Sequence, residues 1–273
     1  MLGFIWEKLD RMEIEPNPKH VVRISARGDA APLIMCHAIG GTVLFYHHLS
    51  RGLTGERPLY AIQAQGLEAG EEPIDEVQSI AARCIALIDQ RKDMDIASIH
   101  FGGYSFGCFV ALEMARLVEA SGRTPRNVLL LAPSPIPNQI SVDADKVEAE
   151  AQQLLREFLR GFDVVVPKRY RERLLSLYRA HLQAYNSYKC APINAALEVF
   201  FPSDEGELES QWASLSLTEV RTWKVPGDHK SMIRAPHVRS LGILLEQALR
   251  EPSAAKLSTP GPITSRLRSA KTR

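Results

Sequence analysis

Short apolar runs recur along the chain from about residue 19 to residue 249: His20–Ile24, Leu33–His37, Leu59–Gln63, Ile96–Phe101, Val128–Ala132, Leu197–Phe201 and Val220–Val225. Most lack the alternation of a strand with one wet face, so they read as strands buried on both sides. Between them the apolar positions take a helical period. Val77, Ile80, Ala81, Cys84 and Ile88 fall on one face, behind an Asp75/Gln78 pair that reads as a capping box. Another helix follows Ser105 and stops at Gly122, with Pro125 beyond, and Pro236–Arg250 closes the series. Alternation of this kind predicts an α/β fold, a mainly parallel sheet with helices on both faces.

One interval breaks the rhythm. No strand signal occurs between Ala132 and Leu197, where two amphipathic patterns stand instead. Val147, Ala151, Leu154, Leu155 and Phe158 form the first apolar face; Tyr170, Leu174, Leu177, Tyr178, His181 and Tyr185 form the second. Both carry more apolar surface than a solvated linker needs. An insertion over residues 138–190, packed as a lid across the C-terminal edge of the sheet, is the favoured reading; a helical excursion remote from any site is the alternative. His181 on that face reads as a satisfied packing histidine or a substrate contact.

Composition narrows the class. The 273 residues are 45% hydrophobic and 24% charged, enough for a packed core. A net charge of +1 argues against nucleic acid as an obligate partner. That near-neutrality is a sum over unlike parts. Residues 253–273 hold Lys256, Arg266, Arg268, Lys271 and Arg273 and no acid; without those five cations the count is 28 positive against 32 negative. They read as a disordered basic tail, residues 1–18 as an N-terminal extension, and 19–252 as one domain. Cys36, Cys84, Cys108 and Cys190 show no C-x-x-C spacing and read as buried free thiols, with no metal site. With no apolar run long enough to span a membrane and no secretory signal, a cytoplasmic protein is expected.

The chemistry centres on Gly103-Tyr104-Ser105-Phe106-Gly107, a G-x-S-x-G string with a strand running in and a helix running out. That context makes it a nucleophile elbow, a tight turn that exposes the serine hydroxyl at a helix N-terminus. A serine hydroxyl is a weak nucleophile and needs a base. In elbow chemistry the base follows the last strand, and Val225-Pro226-Gly227-Asp228-His229 fits that slot. Of the remaining histidines, His47 and His48 are adjacent on a helix and read as surface residues. Two N–H donors should meet the developing oxyanion. One is that of Phe106, after the nucleophile; the other comes from the loop His37-Ala38-Ile39-Gly40-Gly41, with Ile39 the favoured donor and Ala38 the alternative.

Several of these stretches together resemble thioesterase domains of non-ribosomal peptide and polyketide synthases. They are Pro32–Gly41, Arg57–Leu67, the elbow with its preceding Gly102, and Val225–His229 running into Ser231-Met232-Ile233 and Pro236-His237-Val238. The resemblance spans about Pro32 to Leu249. It implies an α/β-hydrolase fold with a helical lid. The implied substrate is an acyl, peptidyl or polyketide chain held as a thioester on the phosphopantetheine arm of a carrier protein, with no cofactor of the enzyme's own. The chain departs from the family at the triad acid. Many members carry an Asp after the strand that follows the nucleophile helix, where Leu131-Ala132-Pro133-Ser134-Pro135 has none. The loop after the next strand supplies Asp204, the favoured acid, and Glu205; a lid acid such as Asp143, or no acid, are the other readings. The expected reaction is hydrolysis or cyclisation through an acyl-serine, in a discrete enzyme working on a carrier in trans. The alternatives are a carboxylesterase or lipase on oxygen esters, and an inactive module that binds carriers or acyl chains.

Overall fold

A computed structural model describes residues 20–250 except 27, 54–56, 92, 138–142, 161–165 and 205–208. Seven strands form one sheet: β1 (Val21–Ser25), β2 (Leu33–Cys36), β3 (Leu59–Ile62), β4 (His100–Tyr104), β5 (Val128–Leu131), β6 (Leu197–Pro202) and β7 (Val220–Val225). Their spatial order is β1-β3-β2-β4-β5-β6-β7; β1 runs antiparallel to β3 and every other pair is parallel. The chain leaves β2 for β3 on one side and returns to β4 on the other. Loops after β2 and β4 therefore diverge at their C-terminal ends, where open α/β sheets hold their sites.

Strand pleat sorts the core into two layers. Ile34, Cys36, Val128, Leu130, Val199 and Phe201 face one side, under α2 (Val77–Asp89) and α3 (Gly107–Ala120). Leu33, Met35, Leu129, Leu131 and Phe200 face the other, under α1 (Tyr46–Gly52) and α7 (Val238–Arg250). The inner strands β2, β3, β5 and β6 are buried throughout, as their apolar runs require, while the edge strands β1 and β7 keep exposed positions. Glu198 interrupts the run in β6 and is itself buried, accepting from Trp223 Nε1 at 2.8 Å, Asn127 Nδ2 at 3.2 Å and the Arg221 guanidinium.

The break in the rhythm is helical. α4 (Ala144–Arg160) and α5 (Lys168–Ser187) pair through Ala151, Leu155, Leu174, Tyr178 and Leu182, with Ile39 and Leu67 of the underlying loops packed against them. An Arg179–Glu148 ion pair ties the two helices at the rim. A short α6 (Glu209–Ala213) lies between β6 and β7.

Several boundaries differ from expectation. Ile96–Ser98 is a 3₁₀ turn, capped by Asp95 accepting from Ala97 N at 3.1 Å, so β4 begins only at His100 and runs on to Tyr104. No capping box forms at Asp75: the N-cap of α2 is Glu76, whose carboxylate accepts from Ser79 Oγ at 2.9 Å. Cys190 is half-buried, while the other three cysteines are buried; all four are free thiols. The expected extension (1–18) and basic tail (253–273) lie outside the described residues. No described helix is long and apolar enough to cross a membrane.

Candidate active site

Ser105 sits between β4 and α3 with φ of 56°, a left-handed conformation that non-glycine residues adopt at a cost of order 1–3 kcal/mol. Its N–H donates to Leu131 O at 2.9 Å, which anchors the turn to β5. The flanking glycines are required by close approach. A Cβ at Gly103 would stand 2.0 Å from Gly107 O, and one at Gly107 would stand 2.7 Å from the carbonyl oxygens of Cys36 and His37. Neither obstruction is a flexible side chain, so the turn must open to admit one. Gly103→Ala is accordingly expected to destabilise the protein by about 3 kcal/mol or more, read as a lowered urea midpoint at unchanged m-value.

The loop after β7 brings His229 to the elbow. His229 Nε2 lies 3.0 Å from Ser105 Oγ, across 124 residues of sequence. Its loop is braced on both sides. The Tyr104 hydroxyl donates to His229 O at 2.6 Å, and the Asp228 carboxylate accepts from the N–H groups of Lys230 and Ser231 at 3.0 and 2.8 Å. Asp228 thus caps its own turn; the bonds from Ser231 hold its carboxyl below the usual range. Lys230 Nζ reaches Glu157 Oε2 of α4 at 2.6 Å, so the helical insertion closes against the histidine loop.

Asp204 lies in the turn after β6, next to that loop: its N–H meets Gly227 O at 3.3 Å. Its exposed carboxylate accepts from Ser203 Oγ at 2.9 Å. Glu205 is outside the described residues. Asp143 stands exposed at the start of α4, where its carboxylate accepts from Asp145 N at 3.0 Å.

The expected oxyanion donors converge from β2 and β4, whose ends are in register at Cys36 and Gly103. Among the described residues neither the Phe106 nor the Ile39 N–H donates a hydrogen bond. The intervening loop is held from behind by Gly41 N to Ala38 O at 2.8 Å and by the Tyr46 hydroxyl to Cys36 O at 2.6 Å.

Sequence reasoning passed over two residues here. Tyr104, the first variable residue of the elbow, braces the histidine loop. Ser134 lies in the loop after β5, the stretch without a carboxylate, and its Oγ comes 3.5 Å from Ser105 Oγ. Ala132, directly after β5, also takes a positive φ, of 42°. The only signal for either was adjacency to the elbow, in sequence for Tyr104 and across β5 for Ser134. His47 and His48 lie exposed on α1, as expected. His181 is buried, as a packing histidine should be, and also bonds Ile39 O at 2.7 Å. No group of His, Cys, Asp and Glu that could hold a metal occurs among the described residues.

A crossover-connected parallel sheet with its nucleophile elbow at the centre and a histidine after the last strand defines the α/β-hydrolase class. Within that class the chain belongs to the thioesterase domain family, whose model matches residues 31–245. It is similar to aspulvinone E synthetase of Aspergillus terreus, 28% identical over 280 residues that cover 87% of this chain and 30% of that protein. It is also similar to indigoidine synthase of Dickeya dadantii, 36% identical over 125 residues covering 46% of this chain and 8% of that one. The chain therefore spans less than a third of the length of these curated relatives. Among solved structures, the Vlm2 thioesterase domain bound with a dodecadepsipeptide superposes with a TM-score of 0.69 at 25% identity, covering 85% of this chain and 98% of that domain.

Proposed function

We propose that this thioesterase releases an acyl or peptidyl chain from a carrier protein through an acyl-serine intermediate, with Ser105 as nucleophile and His229 as base. The observation that carries the reading is the 3.0 Å contact between His229 Nε2 and the hydroxyl of a serine held at positive φ. His229 takes the hydroxyl proton as Oγ attacks the thioester carbon. The carbonyl oxygen becomes an oxyanion facing the N–H groups of Phe106 and Ile39. Collapse expels the phosphopantetheine thiol, which takes the proton back from His229. Water, or a nucleophile within the chain, then frees the product by the same steps in reverse. The thioester substrate arrives on its carrier's arm, so the chemistry asks for no cofactor from this chain.

The acid is assigned to the loop after β6, with Asp204 favoured. Support comes from its backbone bond to Gly227, two residues before His229. Asp204→Ala is expected to lower kcat by roughly 10²–10⁴-fold, the range for loss of an orienting carboxylate. A wild-type rate in D204A with that loss in Glu205→Ala would move the role one residue along.

The mechanism is tested by labelling with a fluorophosphonate and by intact-mass analysis after exposure to acyl-carrier substrates. A single adduct on Ser105 and an acyl-enzyme of substrate mass are expected. A folded protein that takes up neither would be a binding module, and faster turnover of nitrophenyl esters than of carrier thioesters would make it an esterase.

A further inference from the structure

Behind the two expected oxyanion donors lies a cluster of three buried rings that the mechanism does not use. His181 of α5 stacks on His37 (centroids 4.9 Å apart, 18° between planes) and on Phe106 (5.1 Å, 15°). All three are at most a few per cent exposed. Each imidazole is spent on one backbone carbonyl of the loop: His37 Nδ1 lies 3.0 Å from Ala38 O and His181 Nδ1 lies 2.7 Å from Ile39 O. A carbonyl only accepts, so both rings carry their proton on Nδ1. Burial keeps them neutral, with His37 pushed down to about 3 and His181 to about 4.

The geometry matters because a peptide group is planar. Ala38 O and the Ile39 N–H belong to one peptide, so fixing the carbonyl from behind aims the N–H at the opposite side. The His181 bond fixes the next peptide, and the two planes together lock Ile39. The same face of α5 presses on the rest of the loop. A Cβ at Gly40 would stand 2.8 Å from the Tyr178 hydroxyl, and one at Gly41 would stand 3.3 Å from a Leu177 methyl. A histidine from the helical insertion thus touches the loop of one donor and the side chain of the other.

We propose that His181 is a positioning residue: through it the seated lid helix α5 holds the Ile39–Gly40 peptide, and so the backbone of Ile39, in the orientation from which the Ile39 N–H donates to the oxyanion. The hole is complete only with α5 in place, so lid seating and transition-state binding are coupled. This rests on the reading of Ser105 as the nucleophile, but it assigns a part to a residue 142 positions from the loop it holds.

The test compares His181→Phe, which keeps a stacked ring without a donor, with His181→Asn, whose amide N–H₂ stands near the place of Nδ1. Acyl-N-acetylcysteamine thioesters and a fluorophosphonate serve as probes. Misplacing one oxyanion donor predicts a kcat about 10–100-fold lower in H181F at a KM within about threefold of wild type. H181N should recover to within about fivefold. Unchanged kcat in H181F overturns the role, as does an H181N no better than H181F, which would leave ring packing alone. Should H181F not fold, ¹⁵N-histidine NMR of the wild-type protein decides. A His181 signal protonated at Nδ1 and bare at Nε2 at neutral pH supports the bond, and the opposite tautomer overturns it. A wild-type protein that takes up no probe overturns the Ser105 assignment and this role with it.

Discussion

Replacing Ser105 with alanine is expected to lower turnover of an acyl-carrier thioester by roughly 10⁴–10⁶-fold while leaving the fold intact. The loss is large because the hydroxyl has no deputy. Ser134 Oγ lies 3.5 Å from Ser105 Oγ, but the hydroxyl that contacts His229 Nε2 is that of Ser105. The fold should survive because the elbow is held by its backbone, through Ser105 N to Leu131 O and the contact between Gly103 and Gly107. Some rate should remain, since the N–H groups of Phe106 and Ile39, in the role proposed for them, would still favour an oxyanion when water attacks. His229→Ala should cost a similar factor, and the double variant little more, because nucleophile and base act as one unit. Single-turnover assays with intact-mass detection would read both. S105A within tenfold of wild type, or an acyl adduct on another residue, would refute the mechanism.

Acidification between pH 6.5 and 4 is expected to destabilise the protein steeply, well before most carboxylates protonate. His37 and His100 are pushed down to about 3 and His181 to about 4, in each case chiefly by burial; His181 adds to the effect on His37, and Arg57 and Arg126 to that on His100. In the unfolded chain the same rings titrate near 6.5. Above that value both states are neutral and stability is at its full level. Below it the unfolded chain binds protons that the native state refuses, so stability falls with pH. The slope is about 1.4 kcal/mol per pH unit for each histidine, and about 4 kcal/mol per unit for the three together. Against a typical domain stability of about 5–15 kcal/mol, that places acid unfolding within one to a few units below pH 6. Urea titrations at pH 7, 6 and 5 would measure it. A His100→Asn variant should flatten the slope by about one proton's worth. Stability independent of pH over this window would mean that these rings are charged or exposed in the native state.

Much of the site was legible because its parts are local. The elbow announces itself within five residues, since the turn needs small residues at Gly103 and Gly107 whatever the rest of the chain does. The inner strands were legible from the apolar runs, because a strand covered on both faces has few polar positions to spare, and the one in β6, Glu198, is buried with partners of its own. His229 followed from chain order, with β7 ending at Val225 as expected. Where local chemistry competed with pattern, the pattern misled. Asp95 turned the apolar Ile96–Ser98 into a capped 3₁₀ turn, and β4 started late.

What only tertiary structure decided is which distant groups share a site. His181 reads from sequence as one more apolar-face residue of an amphipathic helix, and nothing in that helix says what its imidazole meets. Its bond to Ile39 O spans 142 residues, and the Ser105–His229 contact spans 124. The proposed triad acid belongs to the same category. Sequence could name the loop after β6, but a carboxylate serves a histidine only within hydrogen-bond reach, and that depends on how two loops cross. Residue type and spacing determined the fold class and the chemical groups this protein could use. How the loops after β2, β6 and β7 and the helical insertion pack around the elbow decided which of them stand together, because hydrogen bonds and stacking act over a few ångströms and no local pattern encodes such distances.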